Sequence, residues 1–576
     1  MPLVPLSIPP GVVRPATALQ AKGRYWDANL IRWRGNKLLP VGGWQRATDT
    51  PLDSQARTIF PWASNAGNSY VAIGCDEDMY VSDPDGIANV TPAGFVGSLS
   101  GQTGGYGASD YGTDYTDDDY GEPRTGPSTL FAPIFSWTFD NWGEEILAVA
   151  SSDGRLLHYS PGEAQADVVG VVNITTIQRA ANVVTVTSSS EHGFQVGDNI
   201  NIAGVTTSSF NGTFVITAVP STVTFQYSQS GTNATSSGGT ATHTMVPTAN
   251  RAVAVTQERH AVLLGVSGNP RRVGWSSRED YTDWDFANVT NTAGYFDLDT
   301  QNNLVMLATV REGTLIWTDD EVWLMRYVGL PYIYNFDRIG YGCGLISPRA
   351  FATAAGRCIW MGREGFWIYD GGYVKPLPCD VSSYVFDNLD TNAAALYTHG
   401  SENNIFPEVW FWWPETNSEV PNKYVAYSYA EGWWTIGDMT RTAACGAGVI
   451  QYPMMADENN DLFYHENGWT NSGTPLVGYR YAETGAINMQ GGNNITLINQ
   501  ALTDSGYGYN STQLTFYGSY TPEGTETTFG PYNPRSDGYT DCRAQGRDFR
   551  VRIGSTQDAE WSVGEMRINI IPRGGR

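Results

Sequence analysis

The sequence predicts an all-β protein built mainly of a β-propeller, and three observations support this prediction. Among the 576 residues, glycine (64), tyrosine (32) and tryptophan (19) are abundant, whereas charged residues make up only 16%. Such a composition is typical of turn-rich sheets whose pleated faces are covered by aromatic side chains. Apolar residues almost nowhere keep the period of a helix over three turns. Helix should therefore be a minor component.

The third observation is a recurring pair of strands. In each unit a short apolar strand is followed by a polar turn and a second strand rich in Trp or Tyr, as in "YVAIGCDEDMYVSD", "TLIWTDDEVWLMR" and "CIWMGREGFWIYDGG". The units recur roughly every 40 to 60 residues, as propeller blades do. About six lie between residues 59 and 480, and a weaker seventh surrounds "MMADENNDLFYHENGW". Tandem β-sandwiches would use the same hairpins, but the equivalent turns DDE, REG and SDG favour the propeller.

Changes in composition divide the chain into five segments. The block 171–245 has almost no tryptophan or charge and contains cleanly alternating strands, which predicts an inserted small β-barrel or sandwich. After Gly478, paired strands with Pro-Glu-Gly and Ser-Asp-Gly turns predict a terminal β-sandwich or platform. The predicted segments are an N-terminal arm and platform segment (1–58), the first part of the propeller (59–170), the insert (171–245), the rest of the propeller (246–480) and the C-terminal sandwich or platform (481–576).

The segment 101–126 should form an exposed, mobile loop, because its glycines supply freedom and its aspartates repel one another. Its run Asp117, Asp118 and Asp119 is the candidate for binding Ca²⁺, which takes six to eight oxygen ligands. The run lacks the Asp-x-Asp-x-Asp-Gly register of a calcium loop. A solvated acidic tip is the favoured interpretation, and neither a metal nor another cofactor is predicted.

The formal net charge of −25 excludes a protein that grips nucleic acid, because tight binding to phosphates needs Lys and Arg. An acidic surface would instead let a duplex slide past without sticking. The six cysteines are scattered and form no CxxC pair, so they are interpreted as reduced thiols. Prolines interrupt the N-terminus, and no apolar run approaches about 18 residues, which predicts synthesis in a cytosol without a built-in membrane anchor.

A search for catalytic patterns predicts no enzyme. The six histidines show no zinc-binding spacing, and neither a GxSxG nor a GxxxxGK[ST] motif is present. Glycosidases need only two carboxylates, but the acidic candidates fall at expected hairpin turns, where such residues are common for local reasons. These candidates are Asp319, Asp320, Glu321, Glu415, Asp457 and Glu458.

Two further patterns have a functional and a structural interpretation. The tryptophans at 410, 412, 413, 433 and 434 could stack sugars, but strand alternation places at least one of their faces in a blade core, and packing is favoured. The string "HGFQVGD", from His192 to Asp198, is the most distinctive in the insert. It is interpreted as a turn capped by the histidine, with no partner residues for chemistry.

Both ends of the chain resemble one protein family. The start, "IPPGVVRPATALQAKGRYWDANLIRWRGNKLLPVGGWQR", resembles the N-terminus of tail nozzle (tail tubular) proteins of short-tailed bacteriophages, with a Pro-Pro-Gly arm, a Gly-Arg-Tyr-Trp element, an Arg-Trp and a Gly-Gly-Trp. The closing segment, "DGYTDCRAQGRDFRVRIGSTQDAEWSVGEMRINIIPRGGR", is similar to the end of such proteins. The insert resembles a small β-module of phage tail proteins, whereas the propeller matches only in general character.

The resemblance implies a structural virion protein of the phage tail, made in the cytoplasm of the bacterial host. It implies a homohexameric ring below the adaptor ring, which continues the DNA channel, retains packaged DNA and conducts it during ejection. The implied partners are other copies of the chain, the tail adaptor protein, and tail fibre or tip proteins, with contact to the host surface at the tip. Double-stranded DNA would pass through the lumen without sequence-specific binding.

An assembly interface is predicted from the aromatic and cationic side chains in the two terminal motifs. The tryptophans of the N-terminal motif would anchor a folded platform, while its arginines would donate hydrogen bonds to neighbouring subunits or to the C-terminal sheet. The alternative is a hydrophobic core with arginines whose partners belong to the same chain. The candidate residues are Arg24, Trp26, Arg32, Trp33, Arg34, Trp44, Arg547, Arg550, Arg552 and Trp561.

Two other functions remain open at this point. One is a propeller that binds or degrades polysaccharide, with tryptophans stacking on sugars and a carboxylate pair acting in catalysis. The other is a calcium-dependent adhesion module that uses the aspartate run.

Overall fold

The computed structural model describes residues 3–15, 20–83, 86–98, 135–488, 494–504, 511–521 and 524–573. These residues form two compact units. The terminal unit combines Met1–Ile59 with Leu345–Arg576, and the central unit is Phe60–Gly344. Most of the predicted mobile loop 101–126, including the aspartate run, falls in 99–134, outside the described residues.

The prediction of an all-β propeller is confirmed. In the described part of the chain, eight antiparallel sheets each contain four strands. Seven of them are blades, and in six of the blades the strands follow one another in sequence order. This up-and-down order is the one that blades use. A further sheet holds the insert, and the remaining strands form the predicted platform.

The N-terminal segment of the terminal unit supplies five short strands. They are β1 (Val4–Leu6), β2 (Tyr25–Asn29), β3 (Ile31–Arg34), β4 (Lys37–Pro40) and β5 (Trp44–Arg46). Strands β3 and β4 pair as a hairpin whose turn residues Gly35 and Asn36 have φ values of 55° and 63°. Such left-handed conformations are those required by a tight two-residue hairpin turn.

The central unit contains four blades and the insert, except that the first strand of the first blade begins at Ala56, in the terminal unit. The first and second blades consist of β6 (Ala56–Ala63), β7 (Ser69–Cys75), β8 (Met79–Asp83), β9 (Gly86–Asn89), β10 (Trp137–Trp142), β11 (Glu145–Ala150), β12 (Leu157–Tyr159) and β13 (Asp167–Val168). The insert consists of β14 (Val171–Ala180), β15 (Val183–Ser188), β16 (Asn199–Ala203), β17 (Gly212–Ser221), β18 (Thr224–Ser228), β19 (Ala234–Ser236) and β20 (Thr240–His243). The third and fourth blades consist of β21 (Ala252–Val255), β22 (Ala261–Leu264), β23 (Arg272–Trp275), β24 (Gly294–Asp297), β25 (Leu304–Val310), β26 (Gly313–Thr318), β27 (Glu321–Gly329) and β28 (Ile333–Tyr341).

The insert has a core of its own, because its strands alternate between buried apolar and exposed polar side chains. In β15 the valines at 184 and 186 are fully buried, and they pack with Phe225 and Tyr227 of β18. The seven strands form one sheet in which β14 pairs with both β15 and β20. The additional pairing of β14 with β15 closes the order of strands into a ring around the apolar side chains.

The terminal unit holds three blades. Their strands are β29 (Phe351–Ala354), β30 (Arg357–Met361), β31 (Phe366–Tyr369), β32 (Val374–Leu377), β33 (His399–Asn403), β34 (Glu408–Trp413), β35 (Lys423–Ser428), β36 (Trp434–Asp438), β37 (Ala443–Cys445), β38 (Met454–Ala456) and β39 (Leu462–His465). Two short helices, α1 (Ser382–Asn388) and α2 (Thr391–Tyr397), connect β32 to β33. Helix α2 is capped by Asp390, whose Oδ1 accepts from the amides of Asn392 and Ala393 at 3.0 Å.

The platform follows the last blade. Its strands are β40 (Tyr481–Thr484), β41 (Ile487–Asn488), β42 (Ile495–Thr503), β43 (Thr512–Ser519), β44 (Thr527–Tyr532), β45 (Tyr539–Gly546), β46 (Asp548–Ser555) and β47 (Met566–Arg573). One platform sheet has the order β1-β47-β42-β45, and the other includes β2-β40-β46-β43-β44. Both ends of the chain therefore contribute to the same two sheets. Among the described residues, no helix has the length and apolar character needed to cross a membrane.

The seventh blade is completed by a strand from the N-terminal segment, which the sequence did not predict. Strands β37, β38 and β39 follow one another, and β5 then pairs with β39 through Trp44 and His465. Trp44 is buried in a core that also contains Trp410, Trp412 and Tyr424 of the sixth blade. The segment 1–58 thus belongs to the propeller as well as to the platform.

We predict that Trp44→Ala lowers the free energy of unfolding by about 3–5 kcal/mol, the usual cost of truncating a large buried aromatic side chain. Guanidinium-induced unfolding measures this change. Tyr373→Ala is the control, because Tyr373 is 62% exposed. Equal stability of the two variants would contradict the role of Trp44 in closing the seventh blade.

Candidate assembly interface

Arg32 of the predicted interface lies at the centre of a buried ionic cluster. Its Nε and Nη2 donate to the two carboxylate oxygens of Glu408 at 3.0 and 3.1 Å. Its Nη1 and Nη2 also donate to Glu466 at 3.1 and 2.5 Å. The three side chains are only 3–7% exposed. The partners of Arg32 are thus blade residues of its own chain, not a neighbouring subunit or the C-terminal sheet.

The two carboxylates have further donors. Trp410 Nε1 donates to Glu408 at 2.9 Å, while the Gly42 amide and Asn403 Nδ2 donate to Glu466 at 3.0 and 3.1 Å. Buried charges are tolerated when their hydrogen-bonding capacity is filled in this way. The cluster therefore ties the hairpin β3–β4 to the sixth and seventh blades.

The pKa of the Arg32 guanidinium reflects this balance. Burial on its own lowers the pKa, but the charges of Glu408 and Glu466 and their hydrogen bonds more than offset it. The net pKa is raised, so Arg32 stays charged at every accessible pH. The face of the guanidinium also lies 3.6 Å from the centre of the Phe406 ring, which excludes water from that side.

The tryptophans of the N-terminal motif are mostly buried within the terminal unit. Trp33 and Trp44 are 5% and 7% exposed. Trp33 lies 5.2 Å from the ring of Tyr25, and Trp44 stacks on His465 at 5.1 Å. Trp26 is half-buried, with the Arg14 guanidinium 5.3 Å from its ring centre. Trp33 and Trp44 therefore pack mainly within this chain.

The remaining cations of the motif are more accessible. Arg24 is partly buried, and its Nη2 lies 3.4 Å from the carbonyl oxygen of Pro10. Arg34 is exposed at the end of β3, next to the turn of the hairpin. Arg34 can therefore reach another molecule without unfolding its own chain.

The C-terminal candidates also divide into a buried tryptophan and more accessible arginines. Trp561 is fully buried. Arg550 of β46 donates to Glu526 at 2.8 and 2.5 Å and also to Glu483, and Arg552 of the same strand covers the ring of Tyr481 at 3.6 Å. Arg547 lies in the bend before β46 and is not part of that strand. All three arginines are partly exposed.

The structure brings the two terminal motifs together. The backbone of Leu38 in β4 exchanges hydrogen bonds of 2.8 and 3.0 Å with that of Val563, two residues after Trp561. Strand β1 pairs with β47 through Val4 and Ile568. The segments that carry the family resemblance therefore form one continuous part of the terminal unit.

Three of the carboxylates considered for catalysis have clear structural partners. Glu321 accepts from Trp323 Nε1 at 3.1 Å and from Arg338 at 2.8 Å, and these bonds lower its pKa despite burial, which opposes the shift. Asp457 accepts from the amides of Asn459 and Asp461 at 2.9 and 3.0 Å, as an acidic turn residue does. Glu415 lies 3.4 Å from Lys423 Nζ.

The tryptophans considered for sugar stacking pack inside the sixth blade. Trp410, Trp412 and Trp413 are 0–3% exposed, and Trp434 is 2% exposed. Trp433 is partly exposed, and its Nε1 donates to Glu431 at 2.8 Å. The strand β34 is buried on both faces, so the packing interpretation holds for both sides of the strand, not only one.

The string from His192 to Asp198 forms the predicted turn but has a partner that the sequence did not reveal. His192 Nδ1 accepts from the amide of Phe194 at 2.9 Å, and Asp198 accepts from the amide of Gln195 at 2.7 Å. His243 at the end of β20 places its Nε2 3.2 Å from Asp198.

The residues 99–134 that include Asp117 to Asp119 are not described, and the described residues contain no group of three metal-ligating side chains that could hold an ion.

Glu408 and Glu466 were missed by the sequence analysis. Glu408 begins the otherwise apolar strand "EVWFWW", and a lone charge in such a strand needs a buried partner. The lone charge of Glu408 therefore predicts a cationic partner, but it does not identify which arginine supplies it. The choice of Arg32 depends on a contact between residues 376 positions apart.

We predict that Arg32→Met destabilises the fold by about 3–5 kcal/mol, because it leaves two buried carboxylates without their cation. Arg32→Lys should fall between this variant and the wild type, since an ammonium group cannot make the bidentate contact. Arg34→Met, at the exposed neighbouring position, should change stability by less than about 0.5 kcal/mol. Chemical denaturation measures all three, and a stable Arg32→Met protein would contradict the role of the cluster.

A second buried pair makes stability depend on pH. Arg441 Nε donates to His465 Nε2 at 2.9 Å, which requires a neutral imidazole. Burial, and then the charge of Arg441, lower the pKa of His465 well below its usual 6.5, and burial lowers the pKa of Arg441 to about 10. The unfolded chain takes up a proton on His465 below about pH 6.5, whereas the folded chain does not. Stability is therefore lost as the pH falls through this value.

We predict that His465→Gln makes the decline in unfolding free energy between about pH 6.5 and pH 5 shallower by about 1.4 kcal/mol per pH unit, the contribution of one proton. The glutamine oxygen can still accept from Arg441 Nε. Above about pH 7.5 the variant and the wild type should have parallel profiles, which serves as the internal control. Parallel profiles over the whole range would show that His465 is not buried in its neutral form.

Comparisons with known proteins find solved structures at low similarity but no family. No protein-family profile matches the sequence, and no curated protein matches it either. Solved structures that are similar include the β-propeller domain of Cps50 (Swd1) from Myceliophteria thermophila, with a TM-score of 0.36 and 6% identity over 74% of this chain and 99% of that chain. BamB from Moraxella catarrhalis has a TM-score of 0.32 and 8% identity over 73% and 97%. Virginiamycin B lyase from Staphylococcus aureus has a TM-score of 0.23 and 9% identity over 73% and 97%. At these TM-scores the similarities carry no argument about this chain, and its assignment to the β-propeller class rests on its own four-stranded sheets.

Proposed function

We propose that this protein is a structural component of a bacteriophage tail. In this proposal it forms a nozzle ring that extends the DNA channel below the portal and adaptor, retains packaged DNA and conducts it into the host. Its partners are further copies of the chain, an adaptor protein above, and tail fibre or tip proteins. Its location is the virion, and its role is that of scaffolding rather than catalysis.

The observation that carries the proposal is the joining of the two motifs that resemble tail nozzle proteins. The N-terminal motif pairs with the C-terminal motif through Leu38 and Val563. The two motifs that carry the resemblance are thus neighbours in the folded chain. Arg34 and the half-exposed Arg24 are cations in this region that can donate hydrogen bonds to another subunit.

The charge of the chain is compatible with a channel for DNA. A formal net charge of −25 per subunit would give a ring a strongly negative potential. Where this potential reaches the lumen, it repels phosphates and keeps the duplex from adhering to the wall. Polysaccharide binding is less well supported, because four of the five tryptophans proposed for sugar stacking are buried.

We predict that the purified chain, alone or mixed with its adaptor, forms sixfold rings in negative-stain images. Arg34→Ala should reduce the ring fraction about tenfold or more, since an intersubunit hydrogen bond to a charged group contributes about 1.5–3 kcal/mol. Arg363→Ala, at an exposed turn of the fifth blade, is the matched control. The melting temperature should stay unchanged in both variants.

Two results would contradict the proposal. One is a chain that stays monomeric in the presence of every other tail component. The other is release of reducing ends from a host glycan by the purified protein, which would assign it to the polysaccharide-degrading class instead. If rings form but Arg34→Ala leaves them intact, the ring is supported and Arg34 is removed from its interface.

A further inference from the structure

The hairpin formed by β27 and β28 carries an exposed apolar tip in the fourth blade. We define the hairpin tip as residues 327–332, with the sequence "YVGLPY". Leu330 and Tyr332 are each 79% exposed, Val328 is 54% exposed and Tyr327 is 43% exposed. Single exposed apolar residues are ordinary, but a contiguous group marks a surface that contacts something else.

The hairpin tip projects beyond the neighbouring strand. The pairing of β26 with β27 ends at Thr314 and Met325. Strand β27 continues to pair with β28 as far as Gly329 and Ile333. At about 3.4 Å per residue, the four residues after Met325 extend the hairpin by roughly 14 Å past the end of that pairing.

The base of the hairpin is fixed to the third blade. The hydroxyl of Tyr334 lies 2.9 Å from both His260 Nδ1 and Thr256 Oγ1. Its ring also meets Trp275 at 5.2 Å, and Ile333 is only 6% exposed. Burial lowers the pKa of His260 to about 4, so its imidazole is neutral at physiological pH and can accept from Tyr334. The exposed side chains are therefore presented from a rigid support.

The hairpin tip is uncharged, whereas its base is ionic. No charged residue occurs in the eight residues 327–334, "YVGLPYIY". Arg326 and Asp337 form an ion pair with each other just behind the tip. Such an arrangement places an apolar surface at the end of the projection and keeps charges at its base, where they stay in water.

We propose that the hairpin tip inserts into the interfacial layer of a lipid bilayer. On its own the tip is much smaller than one side of a standard protein interface, which uses about 20–30 residues. Tyrosine has an apolar ring and a polar hydroxyl, and it concentrates at the boundary between headgroups and acyl chains. Leu330 and Val328 supply the side chains that enter the apolar layer. A shallow anchor of this kind needs no groove on its partner.

The net charge of the chain determines which lipids the hairpin tip can bind. With a formal net charge of −25, the protein is repelled by anionic headgroups. The hairpin tip should therefore bind zwitterionic bilayers through apolar contact, and anionic lipid should weaken that binding at low salt. This inference goes beyond the proposed nozzle function, and it concerns a property that one chain has before any ring forms.

The test is flotation of the purified protein with phosphatidylcholine vesicles. We expect the wild type to float and Leu330→Asp to reduce the bound fraction at least about tenfold, since an aspartate at this position must be desolvated on insertion. Val289→Asp is the matched control, because Val289 is 96% exposed but lies outside the hairpin. It should bind like the wild type. Adding phosphatidylglycerol to the vesicles should lower binding of the wild type.

Both variants change exposed side chains, so their melting temperatures should match that of the wild type. Failure of the wild type to float, or equal binding by Leu330→Asp, would overturn the proposal. A loss of self-association in Leu330→Asp without any vesicle binding by the wild type would overturn it in favour of a protein partner. Ring formation is measured separately by microscopy, so failure of vesicle binding and failure of the nozzle function are distinguishable.

Discussion

The buried pairing of Arg32 with Glu408 and Glu466 is the constraint on which the terminal unit depends. None of these groups could leave water alone, because an unpaired charge in an apolar interior costs several kcal/mol. The three side chains are only 3–7% exposed. Glu408 and Glu466 lie 376 and 434 positions after Arg32 in the sequence. The ionic contact thus selects one position for the N-terminal hairpin, and Trp44 packs nearby in the core shared with Trp410 and Tyr424.

Much of the fold could be predicted because its signals are local. The paired strands of each blade are separated by short turns, and the insert differs from its surroundings in composition over its whole length. The closure of the seventh blade could not be predicted in the same way. Strand β5 has only three residues, and its pairing with β39 brings together positions 44 and 465. Nothing in a three-residue strand specifies so distant a partner.

The candidate interface was predictable in its residue types but not in their surroundings. Arg32 and Arg34 are two positions apart in the same strand, yet one is buried among carboxylates and the other faces solvent. Strand alternation alone would treat them alike. The difference arises because Arg32 contacts Glu408 of the sixth blade and Glu466 directly after the last blade strand, whereas Arg34 lies at the end of the hairpin. Likewise, the approach of His243 to Asp198 follows from the pairing of β20 with β16, which the local turn motif does not contain.

The completion of the seventh blade by β5 has a consequence for how the chain folds while it is being synthesised. A ribosome releases Trp44 early, but the strand that it joins becomes available only after residue 465 has been made. During that interval the first segment of the nascent polypeptide has no native neighbour, and a large tryptophan remains uncovered. Because such distant pairings form late, a chaperone that shields the emerging N-terminus would act in the period when aggregation is most favoured.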